Sequence, residues 1–195
     1  MTSALACAHA AGPELASQWV QRWSHLVRGT VLDVACGQGR HLRWFAQRGH
    51  AVVGVDHSES ALADVQLPQA CCETLLADLE TGPWPLPGRR FGAVIVTNYL
   101  WRPLMPRLLE SLDPGGVLIY ETFTEGHARL GRPSRPEFLL APGELLQMCS
   151  GLRIIAFEEG YEPASNGRPA RCVQRIVAMT KGDPSPERDL PGLTP

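Results

Sequence analysis

The chain has 195 residues, enough for one domain with a sizeable core, and its 44% apolar and 19% charged content excludes wholesale disorder. Eighteen Lys and Arg against 20 Asp and Glu give a net charge of −2. No bulk positive field draws in nucleic acid or anionic lipid, and no segment approaches the roughly 18 apolar residues of a membrane span.

From Glu14 to Val27 apolar residues recur at helical spacing, with Pro13 suited to a first turn, which predicts an opening amphipathic helix. Thr30 to Ala35 reads as a strand, the glycines after it as a turn, and Arg40 to Arg48 as a helix. The unit repeats with a strand over Ala51 to Asp56 and a helix over Ser58 to Gln66. A third strand covers Glu73 to Ala77, and T-G-P-W-P-L-P-G after it predicts a surface loop, because its prolines lack N–H donors. Phe91 to Thr97 is the clearest strand, Pro103 to Leu112 a helix, and D-P-G-G a turn into a fifth strand, Val117 to Glu121. No period is visible from Thr122 to Leu140, a long loop of the kind that often carries function. Pro142 to Cys149 reads as a helix; Leu152 to Phe157 and Val173 to Met179 read as strands paired across a loop at Pro163 to Pro169, with one antiparallel member at an edge.

Alternating β and α elements predict an α/β fold with a doubly wound, mainly parallel sheet of seven strands. One domain over residues 1–181 and a mobile proline-rich tail over 182–195 are expected. The six cysteines contain no C-x-x-C and the six histidines no H-x-x-x-H, so no metal site is expected. Residues 1–13 lack the basic start of a secretory signal, and Cys71 and Cys72 suit reduced thiols, which predicts a cytoplasmic protein.

Ligands of such sheets bind beyond the carboxyl ends of the strands. There V-L-D-V-A-C-G-Q-G-R places Gly37 and Gly39 where the backbone must turn and approach a ligand closely, and Arg40 opens the helix. Asp56 ends the second strand, where a carboxylate can accept from two ribose hydroxyls. A dinucleotide fingerprint wants a small residue where Leu42 stands, which weakens the reading as an NAD(P)-dependent oxidoreductase without removing it. Asp78, after the third strand, suits either a loop cap or a ligand contact.

These residues resemble the class I S-adenosylmethionine-dependent methyltransferases. The resemblance runs from about Thr30 to Tyr120 through D-V-A-C-G-Q-G-R-H-L, V-V-G-V-D-H-S and L-L-A-D-L. The D-x-x-C-G-x-G-R form and F-L-L-A-P-G-E-L-L look most like the small tellurite-resistance-type methyltransferases of bacteria. The resemblance implies a Rossmann-like sheet with an antiparallel last strand and S-adenosylmethionine as cofactor. It also implies that Gly37, Gly39 and Asp33 serve the methionine part, Asp56 the ribose, and Asp78 with Leu79 the adenine. Ala35, Arg40, His57, Thr97 and Asn98 complete the expected cofactor site, with Ala35 standing where a glycine is commonest in the class.

T-N-Y-L-W after the fourth strand and Y-E-T-F after the fifth are expected to border the methyl group. Tyr99, Glu121 and His127 are the candidate catalytic residues, although Tyr99 and Trp101 equally suit capping of the core. Trp101, Arg132, Arg135 and Arg171 are the candidate substrate-binding residues; with Arg129 and Arg175 they suit an anion clamp under a closing loop, or else a solvated face. The expectation is methyl transfer to a small, anionic molecule, with no obligatory base because an in-line displacement from a sulfonium disperses charge. A cofactor-binding protein without catalysis is the other alternative.

Overall fold

A computed structural model of the protein describes residues 15–165 and 168–182. The strands β1 (Val31–Val34), β2 (Val52–Asp56), β3 (Cys72–Leu76), β4 (Phe91–Thr97), β5 (Leu112–Phe123), β6 (Arg153–Glu162) and β7 (Arg171–Met179) form one sheet in the order β3-β2-β1-β4-β5-β7-β6. The first five run parallel, and β7 is antiparallel to both β5 and β6. The expected antiparallel last strand is present, but it lies inside the sheet; the edge beside it is β6.

Among the described residues five short α-helices cover the sheet: α1 (Gln18–Trp23), α2 (Arg40–Ala46), α3 (Glu59–Ala63), α4 (Met105–Glu110) and α5 (Glu144–Met148). Alternation of side chains along each strand sends Val31, Ile95, Val117 and Val177 toward Trp19, Val20, Leu42 and Phe45 on one face. Leu32, Val94, Leu118 and Ile176 go toward Leu108 and Leu145 on the other. Both faces being covered explains why β1, β2 and β4 are mainly apolar, the polar residues being Asp33 within β1 and Asp56 and Thr97 at the ends of β2 and β4.

Several boundaries differ from the sequence reading. The helix expected from Glu14 starts at Gln18, because the Ser17 hydroxyl caps it by accepting from the Trp19 amide; Leu15 is exposed ahead of it, and Pro13 and Glu14 lie outside the described residues. After α1 the chain tightens into a 3₁₀ turn over Ser24–Leu26. α2 stops at Ala46 and α3 at Ala63, short of the expected Arg48 and Gln66. D-P-G-G is held within β5 as a register shift, with Leu112 opposite Phe91 and Val117 opposite Ala93. β6 and β7 are longer than expected, because Glu158 pairs with Arg175 and Glu162 with Arg171 across the strands. Ser165 and Arg168 bridge their connection, while 166–167 and, beyond Gly182, the expected tail lie outside the described residues.

One glycine position fixes how the first strand enters the sheet. A Cβ on Gly92 of β4 would stand 1.8 Å from the Arg28 carbonyl oxygen, where the loop before β1 crosses the strand. That neighbour is backbone and has no rotamer to escape into. Gly92→Ala is expected to lower stability by about 3 kcal/mol, read as a lower urea midpoint. A variant that unfolds with its parent would disprove the close approach.

Candidate cofactor and substrate groove

The carboxyl ends of β1, β2, β3 and β4 open into one groove. The backbone ladders continue past the strand ends: the Cys36 amide donates to the Val55 carbonyl, Ala77 to Asp56, and Asn98 to Glu121. These bonds bring the glycine turn, Asp56, Asp78 and Asn98 to the same rim. The groove has two lobes of about 400 and 520 Å³ that share Ala35, Asp56, His57, Glu80 and Tyr99.

The turn from β1 into α2 is made by three left-handed residues, Ala35 (φ +53°), Gly37 (φ +53°) and Gly39 (φ +75°). The glycines adopt this conformation freely, whereas Ala35 carries a penalty of about 1 kcal/mol. Asn98 (φ +56°) is the other non-glycine residue of this kind among the described residues, and it too lines the groove. Backbone strain of this sort collects where a site dictates the local shape. Open space surrounds the missing Cβ of Gly37, while Gly39 packs closely on Val65 and Leu42.

Asp56 locks the turn to β2. One oxygen accepts from the Gly37 amide at 2.7 Å and the other from the Ser58 amide at 2.9 Å, with the His57 ring 3.4 Å from the latter oxygen. Each oxygen keeps a further lone pair for a donor. Asp78 caps the turn by accepting from the Glu80 and Thr81 amides and the Thr81 hydroxyl, and it also lines the first lobe beside Leu79. The Thr81 hydroxyl, then the two amides, hold its carboxyl below the usual range.

Tyr99 lines both lobes, and its buried hydroxyl has no partner. Burial first, then Glu80, Asp78 and Asp56, push its phenol well above the ordinary value, so at neutral pH it is a donor and not a base. Arg40 lines the second lobe and donates to the Thr97 hydroxyl at 3.1 Å.

The remaining candidates lie apart from this rim. Glu121 is 1% exposed and accepts from the Ser17 hydroxyl, Arg171 and Arg175. Arg171 and Arg175 are further held by Glu162, and Arg175 by Glu158. The arginines do not converge into one anion clamp: Arg129, Arg132 and Arg135 are exposed, and Arg135 pairs with Glu137. Saturation of Arg171 and Arg175 by internal carboxylates is the physical reason. His127 is buried against Phe123, at a ring distance of 4.2 Å, with Nε2 3.0 Å from the Arg132 carbonyl. It organises the loop and does not line the groove. Both loop ends are stitched together by the Glu125 and Leu140 amides, and Arg102 fastens its far end through Glu144 and the carbonyls of Glu137 and Leu139. Trp101, just ahead of that arginine, packs against the core of the α4 and α5 face.

Groove residues absent from the sequence reading are Cys36, Gln38, His41, Arg43, Ala61, Ala77 and Glu80. Most neighbour a predicted residue; only their facing direction was hidden.

Comparison with known proteins agrees with this geometry. Residues 31–116, from β1 into β5, match the family described as a methyltransferase domain. A trans-aconitate 2-methyltransferase of Delftia acidovorans is 37% identical over 99 residues, covering 45% of this chain and 35% of the relative. The chain thus spans little more than a third of that relative's length. The crystal structure of TehB from Haemophilus influenzae superposes with a TM-score of 0.66 at 20% identity, covering 84% of this chain and 61% of the other. An S-adenosylmethionine-dependent methyltransferase from Mesorhizobium loti superposes with a TM-score of 0.62 at 21% identity, covering 81% of this chain and 97% of the other. The chain has the seven-stranded, Rossmann-like fold of the S-adenosylmethionine-dependent methyltransferases, and within it residues 31–116 are similar to the methyltransferase-domain family.

Proposed function

We propose that the protein transfers a methyl group from S-adenosylmethionine to a small molecule bearing a carboxylate. The observation that carries this reading is the shared rim of the left-handed turn, Asp56 and Asp78, with an unpartnered Tyr99 hydroxyl in its wall. The residues fit the cofactor. Gly37, with open space where a Cβ would stand, leaves room for the methionine part; Gly39 turns the chain into α2 against Leu42 and Val65, Asp33 is buried two residues ahead of Ala35, and Ala35, Arg40 and His57 line the lobe. The free lone pairs of Asp56 suit a ribose diol, and Asp78 with Leu79 suits the adenine. When bound, the cofactor supplies an electrophilic methyl on a sulfonium.

This chain's own part is to place the acceptor and exclude water. Thr97, Asn98 and Tyr99 border the second lobe, where Asn98 and the Tyr99 hydroxyl are suited to orient an acceptor oxygen in line with the methyl. Arg40 and Arg43 in the same wall give it a positive side, and the Delftia relative is named for a carboxylic acid. A carboxylate is already ionised at neutral pH, so the acceptor needs no base. The free thiols of the described cysteines agree with a cytoplasmic setting.

Calorimetry with S-adenosylmethionine, S-adenosylhomocysteine and NADH, followed by methyl transfer to a panel of small carboxylic acids including trans-aconitate, tests the reading. Binding of the first two and esterification of an acid are expected. Binding of NADH alone would replace it with the oxidoreductase reading, and donor binding without transfer to any acid would leave a cofactor-binding protein.

A further inference from the structure

We infer that His41 is a positioning residue that holds the glycine turn in its cofactor-binding shape. The inference rests on the proposed methyltransferase reading. His41 lies in the first turn of α2, its side chain is 2% exposed, and it lines the second lobe of the groove from below. Its Nε2 accepts from the Ser17 backbone amide at 3.2 Å, so that nitrogen is bare and the proton resides on Nδ1. Nδ1 in turn faces Oδ2 of Asp33 at 3.5 Å.

Asp33 gives this pair its weight. The carboxylate is 1% exposed, and Oδ2 has no hydrogen-bond partner. The His41 N–H faces it at 3.5 Å, and a contraction of a few tenths of an ångström makes the contact a charge-assisted bond. Two residues further along the chain Ala35 takes its left-handed conformation. A buried carboxylate oxygen left wholly bare is costly, and the inexpensive relief is to swing toward water, which pulls Asp33 and the following turn out of place.

The other end of the imidazole reaches a second junction. Ser17 caps α1, and its hydroxyl donates to Glu121 at 3.1 Å. A single ring therefore spans the floor of the turn and the segment that ties α1 to β5. Two groups 24 residues apart in sequence act as one support.

Three proteins test the inference against S-adenosylhomocysteine: the parent, His41→Leu and His41→Gln. Glutamine can offer an acceptor to Ser17 and a donor to Asp33, and leucine neither. The expected result is a Kd about tenfold weaker for His41→Leu, with kcat less affected than KM, and recovery to within about threefold in His41→Gln; tenfold corresponds to about one charge-assisted bond. A folded His41→Leu that binds within about twofold of the parent overturns the inference. A parent that fails to bind overturns the methyltransferase reading instead. Should His41→Leu not fold, nitrogen-15 NMR of the parent ring decides: a proton on Nδ1 whose resonance moves on adding S-adenosylhomocysteine supports the role, and a proton on Nε2 or an unmoved signal refutes it.

Discussion

Asp56→Ala is expected to weaken S-adenosylhomocysteine binding by about 100-fold, the worth of roughly two hydrogen bonds to a charged group. The carboxylate works twice in the proposed site. It accepts from the Gly37 amide at 2.7 Å, which closes the turn, and it is the group offered to the ribose diol. Asp56→Asn is expected to be nearly as damaging. Both oxygens already accept from backbone amides, Gly37 on one and Ser58 on the other, so an amide NH₂ must confront a donor whichever way it is turned. Isothermal calorimetry separates these effects from unfolding, provided each variant retains its melting transition. Retention of parental affinity in Asp56→Ala would remove Asp56 from the ribose role and with it the polarity of the proposed cofactor.

The parts of this fold that were legible in the sequence are those whose residue type is dictated locally. β1, β2 and β4 are buried on both faces, so they read as mainly apolar runs, broken in β1 by Asp33. The glycine turn and Asp56 were legible because a βα unit puts the ligand at one known end of its strand. β6 beyond Phe157 was hidden, since Glu158, Glu159 and Glu162 look like a loop until Arg171 and Arg175 are placed opposite them. The start of α1 was misjudged for a similar reason. Pattern alone favours Glu14, while the actual cap is Ser17, whose hydroxyl also answers to Glu121, 104 residues away.

The same distance in sequence concealed the groove's supports. Nothing near Glu121 in sequence shows that it is saturated, and its position near the end of β5 equally suits a catalytic carboxylate. Arg171 looked available for an acceptor for the same reason, though Glu121 and Glu162 hold it. Arg102, unremarked in the sequence, fastens α5 and the end of the 122–140 loop through its pairing with Glu144. Those two charges shift each other in the expected senses, the Arg102 guanidinium holding the Glu144 carboxyl below the usual range.

Glu121→Ala is expected to cost about 3–5 kcal/mol, because it removes the buried carboxylate that Arg171 and Arg175 share and leaves both less fully compensated. Arg175 is 12% exposed at its side chain and faces Glu121 directly across β5 and β7. Glu158 and Glu162 remain on its other side, which places the expected cost toward the lower end of that range. For a chain of this size about 3 kcal/mol corresponds to a fall of roughly 6–12 °C in Tm. Replacing both partners, Glu121→Leu with Arg175→Met, is expected to recover much of the loss, since no charge is then left unpaired. The network also has a pH signature. Burial pushes the Glu162 carboxyl up, but Arg175 and Arg171 more than reverse this and hold it below its ordinary value. Its stabilising contribution is therefore complete above the ordinary glutamate value of about 4.3 and is lost as the pH falls through the lowered one. Thermal melts at neutral pH should show Glu121→Ala well below the parent, and the gap between the parent and Glu162→Gln should close as the pH falls through the lowered Glu162 value. Coincident melts at neutral pH would mean that the ion pairs of β5, β6 and β7 contribute nothing to holding the sheet together.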